Sequence, residues 1–126
     1  MKTNQLIGLG CLMIATTVAL GAMGAHTLEG SISPRYLEVW KTASLYFALN
    51  GLGLLAIANI APTIKGLYIK LIILGAFIFS VSLWILALNE VLSPALRKLG
   101  AITPVGGVLM IVGWTLIGIN QLRRVE

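Results

Sequence analysis

Four long apolar windows, each bounded by ionisable residues, organise this chain. Lys2 to His26, Lys41 to Lys65, Lys70 to Glu90 and Lys98 to Arg123 enclose stretches that carry no charge. A helix needs about 20 apolar residues, at about 1.5 Å each, to cross a hydrocarbon core of about 30 Å, and each window is about that long. The pattern predicts four transmembrane helices over residues 5–25, 34–60, 66–89 and 103–122. They use most of the chain, so it reads as one transmembrane domain over residues 1–126 with no room for a soluble one.

The punctuation between the windows agrees. Ser33-Pro34 and Thr103-Pro104 each pair an N-cap residue with a proline in the first turn of a predicted helix. Ala61-Pro62-Thr63 ends the second helix, and 90–99, with Pro94, is a short polar connection. Gly100-Ala101-Ile102 is then expected to be a non-helical approach at the membrane edge. Met1-Lys2 followed by an apolar run resembles a signal peptide, but the run over 6–25 is long and three more spans follow it, so a retained helix is expected. Tyr36, Trp40 and Tyr46 are expected at headgroup level, where amphipathic rings settle. Arg35, Glu38 and Lys41 alternate in sign along one helix face.

Each span also carries a seven-spaced row of small or polar residues: Gly10, Thr17 and Gly24; Ser44, Gly51 and Ala58; Gly75, Ser82 and Asn89; Gly106, Gly113 and Asn120. Such rows drift only about 20° per repeat and hold one face. Small residues let helix backbones approach where lipid removes the hydrophobic drive for association. The fold class expected is therefore all-α: an integral membrane four-helix bundle with left-handed packing.

Composition sharpens this picture. The 126 residues are 58% hydrophobic and only 10% charged, with a mean hydropathy of +0.97, whereas soluble domains carry about a quarter charged residues. The net charge of +5 is scattered in ones and twos at helix ends, which gives no footprint for nucleic acid. Cys11 is the only cysteine, so no intrachain disulfide forms. Both termini fall on the side carrying Lys2, Lys65, Lys70, Arg123 and Arg124, against Arg35, Lys41, Arg97 and Lys98 opposite. The positive-inside rule thus places both termini in the cytoplasm by a single residue.

No window contains Asp, Glu, Lys or Arg. Ionisable groups inside spans mark proton relays and ion pathways, and their absence argues against a proton-coupled exporter and against intramembrane acid–base catalysis. No catalytic residue, metal site or cofactor is expected. The candidate ligand-binding residues are polar, small or aromatic: His26, Asn50, Ser80, Ser82, Thr103, Gly106, Gly107 and Trp114. Asn50 is the one large polar side chain near the middle of a span and requires a partner, water or a ligand. His26 and Glu29 have ligand spacing, but zinc takes a third and usually a fourth protein ligand, and none is at hand. Thr103-Pro104-Val105-Gly106-Gly107 opens a helix with freed N–H groups beside two glycines. Trp84 and Trp114 lie too deep for an interfacial belt and are expected to fill gaps, each indole N–H finding a partner. Asn50, Ser80 and Thr103 are expected to line one cleft.

Leu20-Gly21-Ala22-Met23-Gly24-Ala25-His26, the 40–46 stretch, Phe79-Ser80-Val81-Ser82-Leu83-Trp84, residues 100–107 and Gly113-Trp114, in that order, resemble the YgdD-type family of small four-helix bacterial inner-membrane proteins of unknown function. The likeness covers nearly the whole chain. It implies the fold and a multi-pass location in the bacterial inner membrane, and no activity. Two positions depart from the family pattern: Asn50, where members often carry His, and Val81, where a Gly stands between the two serines. The first weakens any metal or proton role that pairs position 50 with His26.

Two functions follow as expectations. One is a non-enzymatic accessory, lipid-contacting or small-ligand-binding bundle whose partners are membrane lipids. The other is a small channel or transporter built as a homo-oligomer, a dimer of two orientations, suggested by the near-even division of basic residues. An enzyme acting at the interface through His26, Glu29 and Glu38 ranks last.

Overall fold

The computed structural model describes residues 1–124. Four helices carry the chain: α1 (Thr3–Met23), α2 (Pro34–Ile57), α3 (Gly66–Ala87) and α4 (Thr103–Arg123). Three of them are extended by tighter or wider turns. α1 continues as a π-helical turn over Gly24–Leu28, α2 as a 3₁₀ segment over Ala58–Thr63, and a 3₁₀ segment over Pro94–Ala101 leads into α4. All four are long and apolar enough to cross a membrane. Leu12, Val18, Leu45, Leu52, Leu74 and Ile111 are among the large side chains they leave exposed, which suits a lipid surround.

Pro34 opens α2 as the sequence predicts, with Ser33 at the N-cap, although its hydroxyl makes no capping bond. At α4 the N-cap is Ile102, with Thr103 and Pro104 in the first turn. Thr103 gives its hydroxyl to neighbours instead, so the predicted Thr103 cap is displaced by one residue. Gly100 and Ala101 belong to the 3₁₀ segment, so the approach to α4 is helical where a non-helical one was expected. Helical turns keep backbone groups paired at the membrane edge.

The helices pack in series. The most extensive contact is α3 on α4, then α1 on α2 and α2 on α3. Among the described residues no comparable contact joins α1 to α3 or α4. Glycines set the two outer pairs. A Cβ on Gly10 would stand 2.7 Å from the Gly51 carbonyl oxygen, and one on Gly106 would stand 2.5 Å from the Phe79 amide nitrogen. Gly75 and Gly106 face each other across α3 and α4, each 2.7 Å from the other's carbonyl on the same measure. Of the seven-spaced rows, Gly10, Gly51, Gly75, Gly106 and Gly113 mark close backbone contacts, while Gly24 meets the Trp40 ring.

Hydrogen bonds supplement this packing. The Trp40 indole donates to the Leu20 carbonyl at 2.8 Å, joining α1 to α2, and Ser80 donates to the Ala43 carbonyl at 2.9 Å, joining α2 to α3. Trp84 donates to Ser44 Oγ at 3.1 Å. Trp40 and Tyr36 are buried against their neighbours, with Tyr36 in the first turn of α2. At the other end of the molecule, Arg124 donates to the Thr63 carbonyl at 2.8 Å and fastens α4 to the end of α2.

Candidate functional site

Alpha-helices α2 and α4 do not meet backbone to backbone; side chains bridge them over α3. Gly53 provides the flat spot on which Trp114 lies, since a Cβ there would come within 2.5 Å of the ring. From this seat the Trp114 indole donates to Asn50 Oδ1 at 2.9 Å. Asn50 Nδ2 in turn donates to the Tyr46 carbonyl at 2.7 Å and to Met110 Sδ at 3.2 Å. Asn50 is only 3% exposed, and both its amide protons and one lone pair of its carbonyl are engaged by the protein.

Beside this bridge opens a cleft of about 470 Å³, lined by Tyr46, Asn50, Phe79, Gly107, Met110 and Trp114 among others. The Tyr46 and Phe79 rings meet edge to face at 5.0 Å and form one wall. With its amide satisfied internally, the cleft presents mainly rings, a thioether and alkyl groups, with the Tyr46 and Thr115 hydroxyls as its only other side-chain polar groups among the described residues. It is suited to hydrocarbon and poorly suited to an ion, which needs unspent polar ligands.

Of the residues picked from sequence, Asn50, Gly107 and Trp114 come together here. Ser80 is spent on the Ala43 carbonyl, and Thr103 shares a 2.7 Å hydrogen bond with Ser82 across α3 and α4. Neither lines the cleft, which corrects the expectation that Asn50, Ser80 and Thr103 form one wall. A hydroxyl facing a neighbouring helix in apolar surroundings bonds that helix. Gly106 is filled against α3 by backbone and has no room for a ligand. His26 is exposed on the π turn, away from the cleft. Among the described residues, no three His, Cys, Asp or Glu side chains gather into a metal-binding group. Gly53 and Met110 were not singled out from sequence, Phe79 entered only within a family-like segment, and Tyr46, expected at headgroup level, instead lines the cleft. Gly53, three residues beyond Asn50 on the same face, was the available signal.

A second recess, of about 560 Å³, lies at the edge where α2 begins and α3 ends. Its charged residues are Arg35, Glu90 and Arg97. The Ser33 N–H donates to Glu90 Oε1 at 2.8 Å, tying the turn after α3 to the start of α2. Hydrogen bonding from Ser33 holds the Glu90 carboxyl below its ordinary value of 4.5 against an opposing desolvation. The charge of Arg97 adds a lesser push in the same direction as Ser33. A lowered folded-state pKa stabilises the fold above the unfolded value, and that contribution is lost as pH falls through the folded one. Acidification below pH 4.5 is therefore expected to lower the thermal midpoint in detergent. Glu90→Gln should flatten that part of the profile; an unchanged profile in the variant would remove the Glu90 tie as its cause.

Residues 20–107 match the family described as "Protein of unknown function (DUF423)". The UPF0382 membrane protein of Staphylococcus saprophyticus is 45% identical over 118 residues, covering 91% of this chain and 94% of the relative. That of Staphylococcus haemolyticus is 42% identical over 129 residues, covering 99% of each. UPF0382 membrane protein YwdK of Bacillus subtilis is 40% identical over 120 residues, covering 91% of this chain and 94% of the relative. No solved structure matches.

Proposed function

The chain belongs to the DUF423 family of membrane proteins of unknown function, and we propose that it works as a non-enzymatic, lipid-contacting bundle whose α2–α4 cleft takes up one hydrocarbon chain from the bilayer. The observation that carries this reading is the closed set of hydrogen bonds around Asn50. An amide at mid-span that had to meet a polar ligand would keep a donor free, and here both amide protons are engaged and the carbonyl already accepts from an indole. The cleft volume of about 470 Å³ lies within the roughly 300–1,000 Å³ range of small-molecule sites. The groups an interfacial enzyme would need, His26, Glu29 and Glu38, are all exposed. The finer likeness to the YgdD-type proteins rests on the Gly-Ala-x-Gly-Ala-His and Thr-Pro-x-Gly-Gly segments.

Trp114 supplies the assay, because it borders the cleft while Trp40 and Trp84 are buried. Phosphatidylcholine brominated at mid-chain, titrated into the protein in detergent, is expected to quench Trp114 saturably near one lipid per protein. Gly107→Leu should abolish the saturable part and leave the thermal midpoint in place. A Cβ at position 107 meets only the Phe79 ring, at an ordinary 3.7 Å, so the longer side chain has the cleft to enter. Quenching that never saturates, or that Gly107→Leu leaves intact, would defeat the proposal.

A dimeric channel in two orientations is the second reading, favoured by the five-to-four division of basic residues between the two sides. Mapping both termini tests it: one uniform orientation removes it.

A further inference from the structure

We propose that the recess at the α2–α3 edge binds the phosphodiester of an anionic phospholipid whose acyl chain lies in the α2–α4 cleft, so that the two recesses form one amphiphile site. This rests on the lipid reading above and names the lipid class it selects.

The first support is alignment. Val39 borders the edge recess and Tyr46 the cleft, seven residues apart on α2; Leu86 and Phe79 stand in the same relation on α3. Seven residues return to nearly the same helix face and advance about 10 Å along the axis. The two recesses therefore lie in line along one face of α2 and one face of α3. The edge recess sits where α2 starts at Pro34 and α3 ends at Ala87, the depth of a headgroup when the cleft is at the depth of its chains.

The second support is how Arg97 is held. Its Nε donates to Asn89 Oδ1 at 3.1 Å, and Asn89, 1% exposed, is itself fixed by donating to the Leu86 carbonyl at 2.7 Å. Among the described residues the terminal nitrogens of Arg97 have no protein acceptor. A guanidinium anchored through Nε presents its other donors as a fork, the geometry that suits two oxygens of a phosphate. Arg35 borders the same recess, its guanidinium carbon 5.4 Å from the Tyr36 ring centroid.

The third support is charge. Glu90 also borders the recess, but one of its oxygens already accepts from Ser33. Two guanidiniums against one carboxylate leave a single positive charge. A phosphodiester lipid with an uncharged headgroup substituent neutralises that charge, whereas a zwitterionic lipid leaves it unbalanced.

The test repeats the Trp114 titration with brominated phosphatidylglycerol, phosphatidylethanolamine and phosphatidylcholine of the same chains. Phosphatidylglycerol is expected to bind about five-fold tighter or more per arginine engaged. Arg97→Gln and, separately, Arg35→Gln should bring it toward phosphatidylcholine, whose own binding does not change. Inorganic phosphate is expected not to displace the brominated phosphatidylglycerol, since it lacks the chain. Saturable binding that is equal across headgroups, a preference for phosphatidylethanolamine, or efficient displacement by inorganic phosphate would overturn the headgroup inference and leave the chain site standing. Loss of saturable binding for every lipid would overturn the chain site itself, and the inference with it.

Discussion

Gly106→Ala is expected to destabilise the purified protein by about 1–3 kcal/mol, the usual cost of forcing an extra methyl into a packed interface. The new Cβ would stand 2.5 Å from the Phe79 nitrogen and 2.7 Å from the Gly75 oxygen. Both are backbone atoms, so no rotamer change relieves the clash and α3 and α4 must part. In a membrane this loss is not recovered by hydrophobic collapse, because lipid solvates the separated faces as well as the partner helix does. Gly75→Ala should cost a similar amount, while the double variant should cost less than the two together, since one separation accommodates both methyls. Gly8→Ala is the control: nothing lies within 4 Å of its Cβ, and alanine is the better helix former. Thermal unfolding in detergent reads all four proteins. A Gly106→Ala midpoint at or above that of Gly8→Ala would show that close backbone contact does not hold this helix pair.

The second large effect is expected at Asn50. Asn50→Leu removes the acceptor of the Trp114 indole at a site shielded from water, and stranding that donor should cost about 1–2 kcal/mol. The informative comparison is the double variant Asn50→Leu with Trp114→Phe. With donor and acceptor both gone, nothing polar is left unpaired, so much of the lost stability should return. Thermal midpoints of the wild type, the two single variants and the double variant complete the cycle. If the double variant is no better than Asn50→Leu alone, the amide acts through its bonds to the Tyr46 carbonyl and Met110, and the bridge from α2 to α4 is not what matters.

How far these features could be read from sequence depends on the range of the interaction that creates them. The four spans were legible because charge exclusion acts on each helix alone, and Pro34 marks the start of α2 in sequence and structure alike. The glycine rows were legible because a small side chain on a membrane helix has few other uses. What failed needed knowledge of the facing helix. Ser80 and Thr103 look like free hydroxyls in the sequence, but each is spent on the helix opposite. Trp40 reads as an interfacial ring, and only the facing helix shows that it is buried, in a gap left by Gly24 with the Leu20 carbonyl accepting from its indole. Asn50 and Trp114 were each picked out; that they serve one another depends on Gly53, whose meaning appears only once Trp114 is placed on it. Arg97 and Asn89, eight residues apart across a turn, gave no periodic signal.

The serial packing of the helices also bears on how the protein is made. Each helix has its main partner next to it in the chain, so a helix leaving the ribosome finds that partner already in the membrane. Such an order keeps contacts local and assembly quick. The bonds from α2 to α4, Asn50 to Trp114 at 64 residues apart and Arg124 to the Thr63 carbonyl at 61, are exceptions. Until the last helix is synthesised, the Asn50 carbonyl has no indole to accept from and must rely on water or the insertion machinery. The groove that the finished protein offers to lipid is thus the last part to be completed, and a chain stalled before its fourth helix would hold an open amide where the mature one holds a closed wall.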